Sequence, residues 1–469
     1  MSFRIEKDSM GEMQVPAAAY YGASTQRAVE NFPVSGRPLP PRFLHALGLV
    51  KLAACAVNEK LGLIDGSLAD PIIQAAREVA DGRLDGEFPI DVFQTGSATS
   101  TNMNANEVIA NRASEIALGK RGERIIHPND HVNLCQSSND VIPAVLHVSA
   151  VLAIEHDLVP ALRHLHKALG KKARDWDGIV KSGRTHLMDA TPIRLGQEFS
   201  GYASQVEHAI ERIEATLPHL RELAIGGTAV GTGLNAHPEF GRRVAEELSQ
   251  LTGTTFLEAK NHFEAQGAQD AAAWASGAMN SCAASLMKIA NDVRLLNSGP
   301  RCGLSEVSLP ATQPGSSIMP GKVNPVICEA VMQVGAHVMG LHVAVTVGAQ
   351  WGQLELNTML PMMATNLLES ARLLANVSRL FAERAIEGMV ANEDICAGYV
   401  EISPSMATAL NPLIGYDKAA EIAKRSYKER KPVRALAAEM TSLTRAQIDE
   451  ALDPRRQTEP GLTGESAGG

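Results

Sequence analysis

The sequence predicts a mainly α-helical protein built around a long central helical bundle. Three observations carry that expectation. Apolar residues recur at steps of three and four over stretches too long for a strand, as in Leu195, Phe199, Tyr202, Val206, Ile210, Ile213, Leu217 and Leu220. Hydrophobic residues make up 45% of the chain but aromatics only 4%, a balance of small and aliphatic side chains that suits close helix packing. The glycine- and proline-dense stretch Pro314 to Pro325 is a polar loop that interrupts a long apolar, helix-patterned chain.

The elements follow in order. The start, Phe3 to Val15, reads as strand-like, within a mixed but mostly helical domain over 1–137. The bundle domain is expected over 138–395. Its first helical stretch is read at roughly 141–175, with Pro160 as a candidate kink. The next spans 195–220, with Pro192 near its start and Pro218 near its end. Ala271, Trp274, Ala278, Cys282, Ser285, Ile289, Val293 and Leu296 repeat the stripe. So do Ile327, Val331, Val334, Val338, Leu341 and Val345, directly after Pro325, and a further helix is read over 361–388. Helices this long need neighbours to bury their stripes. Residues 396–469 are expected to form a small helical C-terminal domain, patterned near 418–426 and disordered over 459–469.

A chain of 469 residues is long enough for two or three domains. With 43 basic and 52 acidic residues its formal charge is −9, which excludes a general attraction to nucleic acid or to anionic membranes. An anionic ligand must therefore be held by a local pocket. Cys55, Cys135, Cys282, Cys302, Cys328 and Cys396 are scattered, which argues against a zinc site or a disulfide framework and fits a reducing cytoplasm. The N-terminus lacks a signal-peptide core, and no uncharged apolar run of membrane-spanning length is expected.

Polar clusters interrupt the helices. The first, Gln94 to Asn104, is dense in hydroxyl and amide side chains and leads into Ala105-Asn106-Glu107-Val108-Ile109. A helix cap needs one such residue; a run suggests a carboxylate or phosphate site at a helix N-terminus. The second runs from His127 to Asp140, where Ser137-Ser138-Asn139 precedes an apolar helical stretch with Pro143 expected in its first turn. Its own capping role is the alternative reading, and His127, Asn129 and Asp130 form a separate polar patch. The third runs from Ser182 to Ala190 and includes Arg184, Thr185 and His186, read as a loop before a long helix. The fourth, Pro314 to Pro325, is a glycine- and proline-rich loop carrying Ser316, Ser317, Lys322 and Asn324. Together these offer hydroxyls, amides and cations, as a small dianion requires, although a surface turn would also explain the last. Gly226 to Gly233 follows a helix and reads as a backbone bend, not a dinucleotide loop.

The motifs GSSIMPGKVNP at 315–325, QSSND at 136–140, GRTHL at 183–187 and GGTAVGTGLN at 226–235 resemble, in the same order, those of the fumarase/aspartase superfamily. The resemblance covers about residues 3 to 453 and is closest to the class II fumarases, the metal-free type. It implies a three-domain subunit and a homotetramer with a twenty-helix core, whose active sites each draw on three chains. It also implies reversible hydration of fumarate to L-malate, a dicarboxylate ligand, and no cofactor or metal. By the same resemblance Ser316 is the base, Lys322 its cation, and His186, paired with Glu329, positions or protonates the leaving water. Ser97, Ala98, Thr99, Ser137, Ser138, Asn139, Thr185, Ser317, Lys322 and Asn324 line the substrate. His127, Asn129 and Asp130 match an accessory anion site.

Ser138 and Gly226-Gly227-Thr228 lean to the hydratases. Ser100 to Asn106 and Gly352-Gln353-Leu354 lean to the aspartases. Ala98 stands where a hydratase usually has glycine, and its methyl is expected to crowd the substrate or shift the backbone. The rival readings are an aspartate ammonia-lyase, an argininosuccinate or adenylosuccinate lyase, a Ser–Lys hydrolase using Ser316 and Lys322, and a structural relative without activity.

Overall fold

The computed structural model describes residues 2–461 and is mainly helical. Long helices lie where the periodicity places them, at Leu195–Glu214, Asp270–Leu296, Val326–Ala349 and Leu360–Phe381. The expected 195–220 helix ends early, and Pro218 opens a separate short helix, Leu217–Leu220. The stretch read at 141–175 is two helices, Ser138–Ala153 and Val159–Asp175, joined by a π-turn at Ile154–Leu158. Pro160 accounts for the join. It has no N–H to return to the preceding turn, and a wider turn ahead of it relieves the clash.

The strand-like start is a hairpin, Phe3–Asp8 against Gly11–Pro16, in register from Phe3↔Pro16 to Asp8↔Gly11. A second hairpin, Val180–Thr185 against Met188–Arg194, corrects the reading of that segment as a loop. Its turn residues are His186 and Leu187, both at positive φ (55° and 61°). A two-residue turn of this kind ordinarily announces itself with Asn-Gly or Asp-Gly, and here that signal is absent.

The chain divides into two compact units. One comprises 1–160, 209–283 and 334–376. Within it the helix Pro41–Lys60 packs against Gly66–Ala80, Ser138–Ala153 and Phe240–Thr252. Neighbours on several sides explain why even Lys51 of that helix is wholly buried. The other unit comprises 161–208, 284–333 and 377–469. Its hairpin Val180–Arg194 packs against the helix Glu393–Ile402 and the 3₁₀ turn Pro404–Leu410, beside a core that includes Val400, Met406, Leu410, Ile422 and Leu436. The tail expected to be disordered begins in ordered chain, since Glu459 pairs with Arg194; residues 462–469 lie outside the described residues.

Two helical stretches, Ser138–Asp175 and Val326–Ala349, are long and apolar enough to cross a membrane by length and composition, against the sequence expectation. The first is 83% buried over its most apolar window and the second only 22%. Residues 330–349 contain no Asp, Glu, Lys or Arg; Gln333, His337 and His342 are what keep the stretch from reading as a bare apolar run.

Candidate functional site

In the first unit the helix Thr99–Leu118 begins at Ala98, which is fully buried and left-handed (φ 53°), and no side chain caps it. The Ala98 methyl therefore lies in packed protein rather than in open space. Gly96 is fixed by close approach: a Cβ there would overlap the Thr358 carbonyl, and its own carbonyl accepts the Leu360 N–H at 2.9 Å. The dense hydroxyl run is divided between tasks. Thr101 donates to Gln94 Oε1 (2.8 Å) and Asn104 to the Glu87 carbonyl (2.9 Å), so both are structural. Ser97 and Thr99 share one hydrogen bond (2.9 Å) beside the uncapped turn. Glu107 is buried and accepts from the N–H groups of Gly22, Ser24 and Thr25, doing for the helix Ala23–Asn31 what its glycine cap cannot.

The second cluster opens the helix Ser138–Ala153 with a capping box. Ser137 Oγ accepts the Asn139 N–H at 3.2 Å, and Asp140 Oδ1 accepts the Ser137 N–H at 2.9 Å. Pro143 lies beyond the first turn, not within it, and has no hydrogen to return to the Asn139 carbonyl. Asp140 Oδ2 also accepts the N–H groups of Gly226 (3.0 Å) and Thr228 (2.9 Å). Asn139 Nδ2 donates to the Ala229 carbonyl at 2.8 Å. The glycine-rich bend is thus tied to this helix start, and it follows the short strand Glu222–Leu223.

Sequence reasoning missed Lys51. Its Nζ donates to Asn133 Oδ1 and Gln136 Oε1, each at 2.9 Å. Asn133 Oδ1 also accepts from Asn102 and Asn106, each at 3.2 Å. Asn102 reaches on to Ser138 Oγ at 3.0 Å. Burial pulls the Lys51 ammonium down to about 7, opposed by the charge of Asp140. Burial pushes the Asp140 carboxyl up, against backbone N–H donors that favour its ionised form. A lysine within a largely apolar helix gives no sequence signal for this role.

His127, Asn129 and Asp130 form an exposed turn. His127 Nδ1 accepts the Asp130 N–H at 3.1 Å and lies 3.0 Å from its carboxylate.

In the second unit Thr185 and His186 sit exposed at the tip of the hairpin. Its base is anchored by buried charge. Glu306 is fully buried, and Lys181 Nζ lies 3.2 Å from both Glu306 and Glu198. Burial pushes the Glu198 carboxyl up, opposed by Lys181. Among the described residues no hydrogen bond or ion pair joins His186 to Glu329.

The loop at 311–323 encloses a shallow recess lined by Ser316, Met319 and Lys322, among others. Gly315 donates to the Lys322 carbonyl at 2.8 Å, and Asn324 Nδ2 donates to the Gly315 carbonyl at 2.7 Å. A Cβ on Gly315 would lie 2.6 Å from the Lys322 oxygen, so closure of this loop requires glycine. Ser316 Oγ accepts the N–H groups of Ile318 (3.2 Å) and Met319 (3.0 Å). Ser317 lies next in the loop. The structure thus groups Ser97, Ala98 and Thr99 within one helix start, Ser137, Ser138 and Asn139 within another, and Ser316, Lys322 and Asn324 within the loop. Among the described residues no group of three or more His, Cys, Asp or Glu side chains is placed to hold a metal ion.

Comparison with known proteins narrows the chemistry. A family model described as Lyase matches residues 11–340, and one described as Fumarase C C-terminus matches 406–459. The chain is 55% identical over 457 residues to the fumarate hydratase class II of Corynebacterium efficiens, covering 96% of this chain and 95% of the relative. It is 53% identical over 467 residues to that of Xylella fastidiosa, covering 100% and 98%. The crystal structure of recombinant class II fumarase from Schistosoma mansoni superposes with a TM-score of 0.95 at 41% identity, covering 97% of this chain and 99% of that one.

Proposed function

This chain belongs to the class II fumarate hydratase family, and from that premise we propose how its residues divide the work. It catalyses the reversible hydration of fumarate to L-malate. In the conversion of malate to fumarate a C–H bond next to a carboxylate must lose its proton, which leaves charge on that carboxylate as the dianionic aci form. Fixed donors must absorb that charge.

We assign the base to Ser316, and one observation carries the assignment. Its Oγ already accepts two backbone N–H groups, from Ile318 and Met319. Such donors favour an alkoxide over a hydroxyl, and Lys322 in the same loop adds a cation. The exposed loop closes over bound substrate and excludes water. Ser97, Thr99, Ser137, Ser138, Asn139, Thr185, Ser317 and Asn324 hold the carboxylates, next to the buried Ala98. The capping bond of Ser137 and the bond from Asn102 to Ser138 use oxygen lone pairs, leaving both hydroxyl hydrogens to donate. His186 positions or protonates the leaving hydroxyl as water, with Glu329 of another copy orienting the ring. His127, Asn129 and Asp130 serve as an accessory anion site.

The assembly we propose is a homotetramer with active sites shared among three subunits. The mostly exposed apolar helix Val326–Ala349 supports it, because such a surface calls for a partner. We read the subunit as three domains and place it in the cytoplasm, where its unpaired cysteines stay reduced. The reaction calls on no cofactor.

The test is a paired assay that follows the ultraviolet absorbance of fumarate formed from L-malate and from L-aspartate. Turnover of malate alone is expected. Turnover of aspartate at a comparable rate would overturn the reading.

A further inference from the structure

The buried amine of Lys51, a residue outside all the recognised motifs, is the hub of a polar network. It stands on the helix Pro41–Lys60, and its donors end on Asn133 and Gln136, directly before Ser137, Ser138 and Asn139. The Asn133 side-chain oxygen Oδ1 gathers three donors, from Lys51, Asn102 and Asn106. Asn133 Nδ2 in turn donates to the Gln136 carbonyl at 3.0 Å, closing the turn on itself. Asn102 belongs to the helix that starts at Thr99, and it passes the network on to Ser138 Oγ. One amine therefore fixes the relative placement of two helix starts, both within the first unit.

We propose that Lys51 is a positioning residue for substrate binding: it holds the turn 133–136 and, through Asn133 and Asn102, aims the Ser138 hydroxyl at a substrate carboxylate. The inference rests on the hydratase reading and deepens it. Two features separate this role from simple packing. An apolar residue of equal length would fill the same volume without the cost of burying an amine. Moreover, every hydrogen bond that Lys51 makes leads to a segment bearing a carboxylate-holding residue. By accepting from Asn102, Ser138 turns its own hydrogen outward, where a carboxylate oxygen is the natural acceptor.

Lys51→Met keeps the length and removes the donors; Lys51→Gln keeps one donor group. Wild-type turnover of malate tests the hydratase reading on its own. Both variants are then assayed with fumarate and with malate, with assembly checked by gel filtration. The expected result is an increase in KM of about tenfold or more for both substrates in Lys51→Met, as loss of a charged hydrogen-bond donor implies. Its kcat is expected to stay within about threefold of wild type, because the charge-stabilising loop is untouched. Lys51→Gln is expected to fall between. A wild-type KM in either variant, or a fall in kcat with KM unchanged, would overturn the proposal. If Lys51→Met does not fold, Lys51→Gln decides on the same KM. Failure of both to fold would also count against it, since Lys51 would then serve the fold rather than the site.

Discussion

Arg184 Nη1 donates to both carboxylate oxygens of Glu306, at 2.9 Å each. Lys181 adds a second cation to that carboxylate, and both anchors lie on the strand that leads to Thr185 and His186. Glu306→Ala would leave the Arg184 guanidinium without its anion and the buried Lys181 ammonium with Glu198 alone. Removing one partner of such a set costs about 3–5 kcal/mol. We expect a loss of that order in denaturant unfolding, together with a fall in turnover as the hairpin tip loses its support. Wild-type stability in Glu306→Ala would show that the buried charges do not hold the hairpin.

Ser316→Ala removes the oxygen on which the Ile318 and Met319 N–H groups converge. We expect turnover to fall by about a thousandfold or more, the scale of losing the reacting group, with assembly unchanged. Initial rates and gel filtration on one preparation check it. A normal rate would remove Ser316 from the role of base.

Ala98 holds a left-handed backbone at a fully buried position. That conformation costs a non-glycine residue about 1–2 kcal/mol. Ala98→Gly is therefore expected to be neutral or stabilising by up to about 1 kcal/mol, after the glycine's larger unfolded-state entropy is counted. Ala98→Val adds a β-branch where neither backbone nor packing has room, and is expected to cost about 2 kcal/mol or more and to raise KM. Thermal unfolding of both variants, beside malate kinetics, gives the comparison.

His147 is buried, and its Nδ1 lies 2.8 Å from the Glu222 carbonyl. Burial holds its pKa below the usual histidine range, opposed by that carbonyl. Above about pH 6.5 the ring is neutral both folded and unfolded, and its contribution to stability is complete. As pH falls from there toward the lowered folded pKa, only the unfolded chain takes up a proton, so stability is lost. His147→Gln is expected to lose less stability than wild type over that interval. Urea midpoints for both proteins at about pH 7.5 and about pH 5.5 measure it. His219, Glu222 and Glu264 line the same recess, so the difference between the two proteins, not either curve alone, is the relevant quantity. Parallel curves would assign the acid sensitivity to other groups.

The long helices were legible because a repeat of three and four residues follows directly from helix geometry and survives any tertiary context. The signature loop was legible because proline and glycine leave few alternatives. The hairpin carrying His186 was not, because its turn holds His-Leu where local rules ask for Asn-Gly; buried ion pairs support that turn from a distance. Lys51 was invisible for a related reason. Its importance comes from Asn102, Asn133 and Gln136, which only folding brings to it. Within the first cluster the sequence identified hydroxyl chemistry but not its division of labour, in which Thr101 and Asn104 brace the backbone while Ser97 and Thr99 stay by the open turn.

The helix Val326–Ala349 carries a consequence for how the protein comes into being. A freshly synthesised chain displays Val343 and Val347 to water, along a greasy rod with no charge from 330 to 349. In the proposed tetramer sister chains shield that rod; left bare it is an adhesive surface, and the contact that would weld the particle together would clump unassembled chains. Recovery from denaturant should consequently show an optimum in protein concentration: too dilute and chains never meet, too crowded and they stick at random.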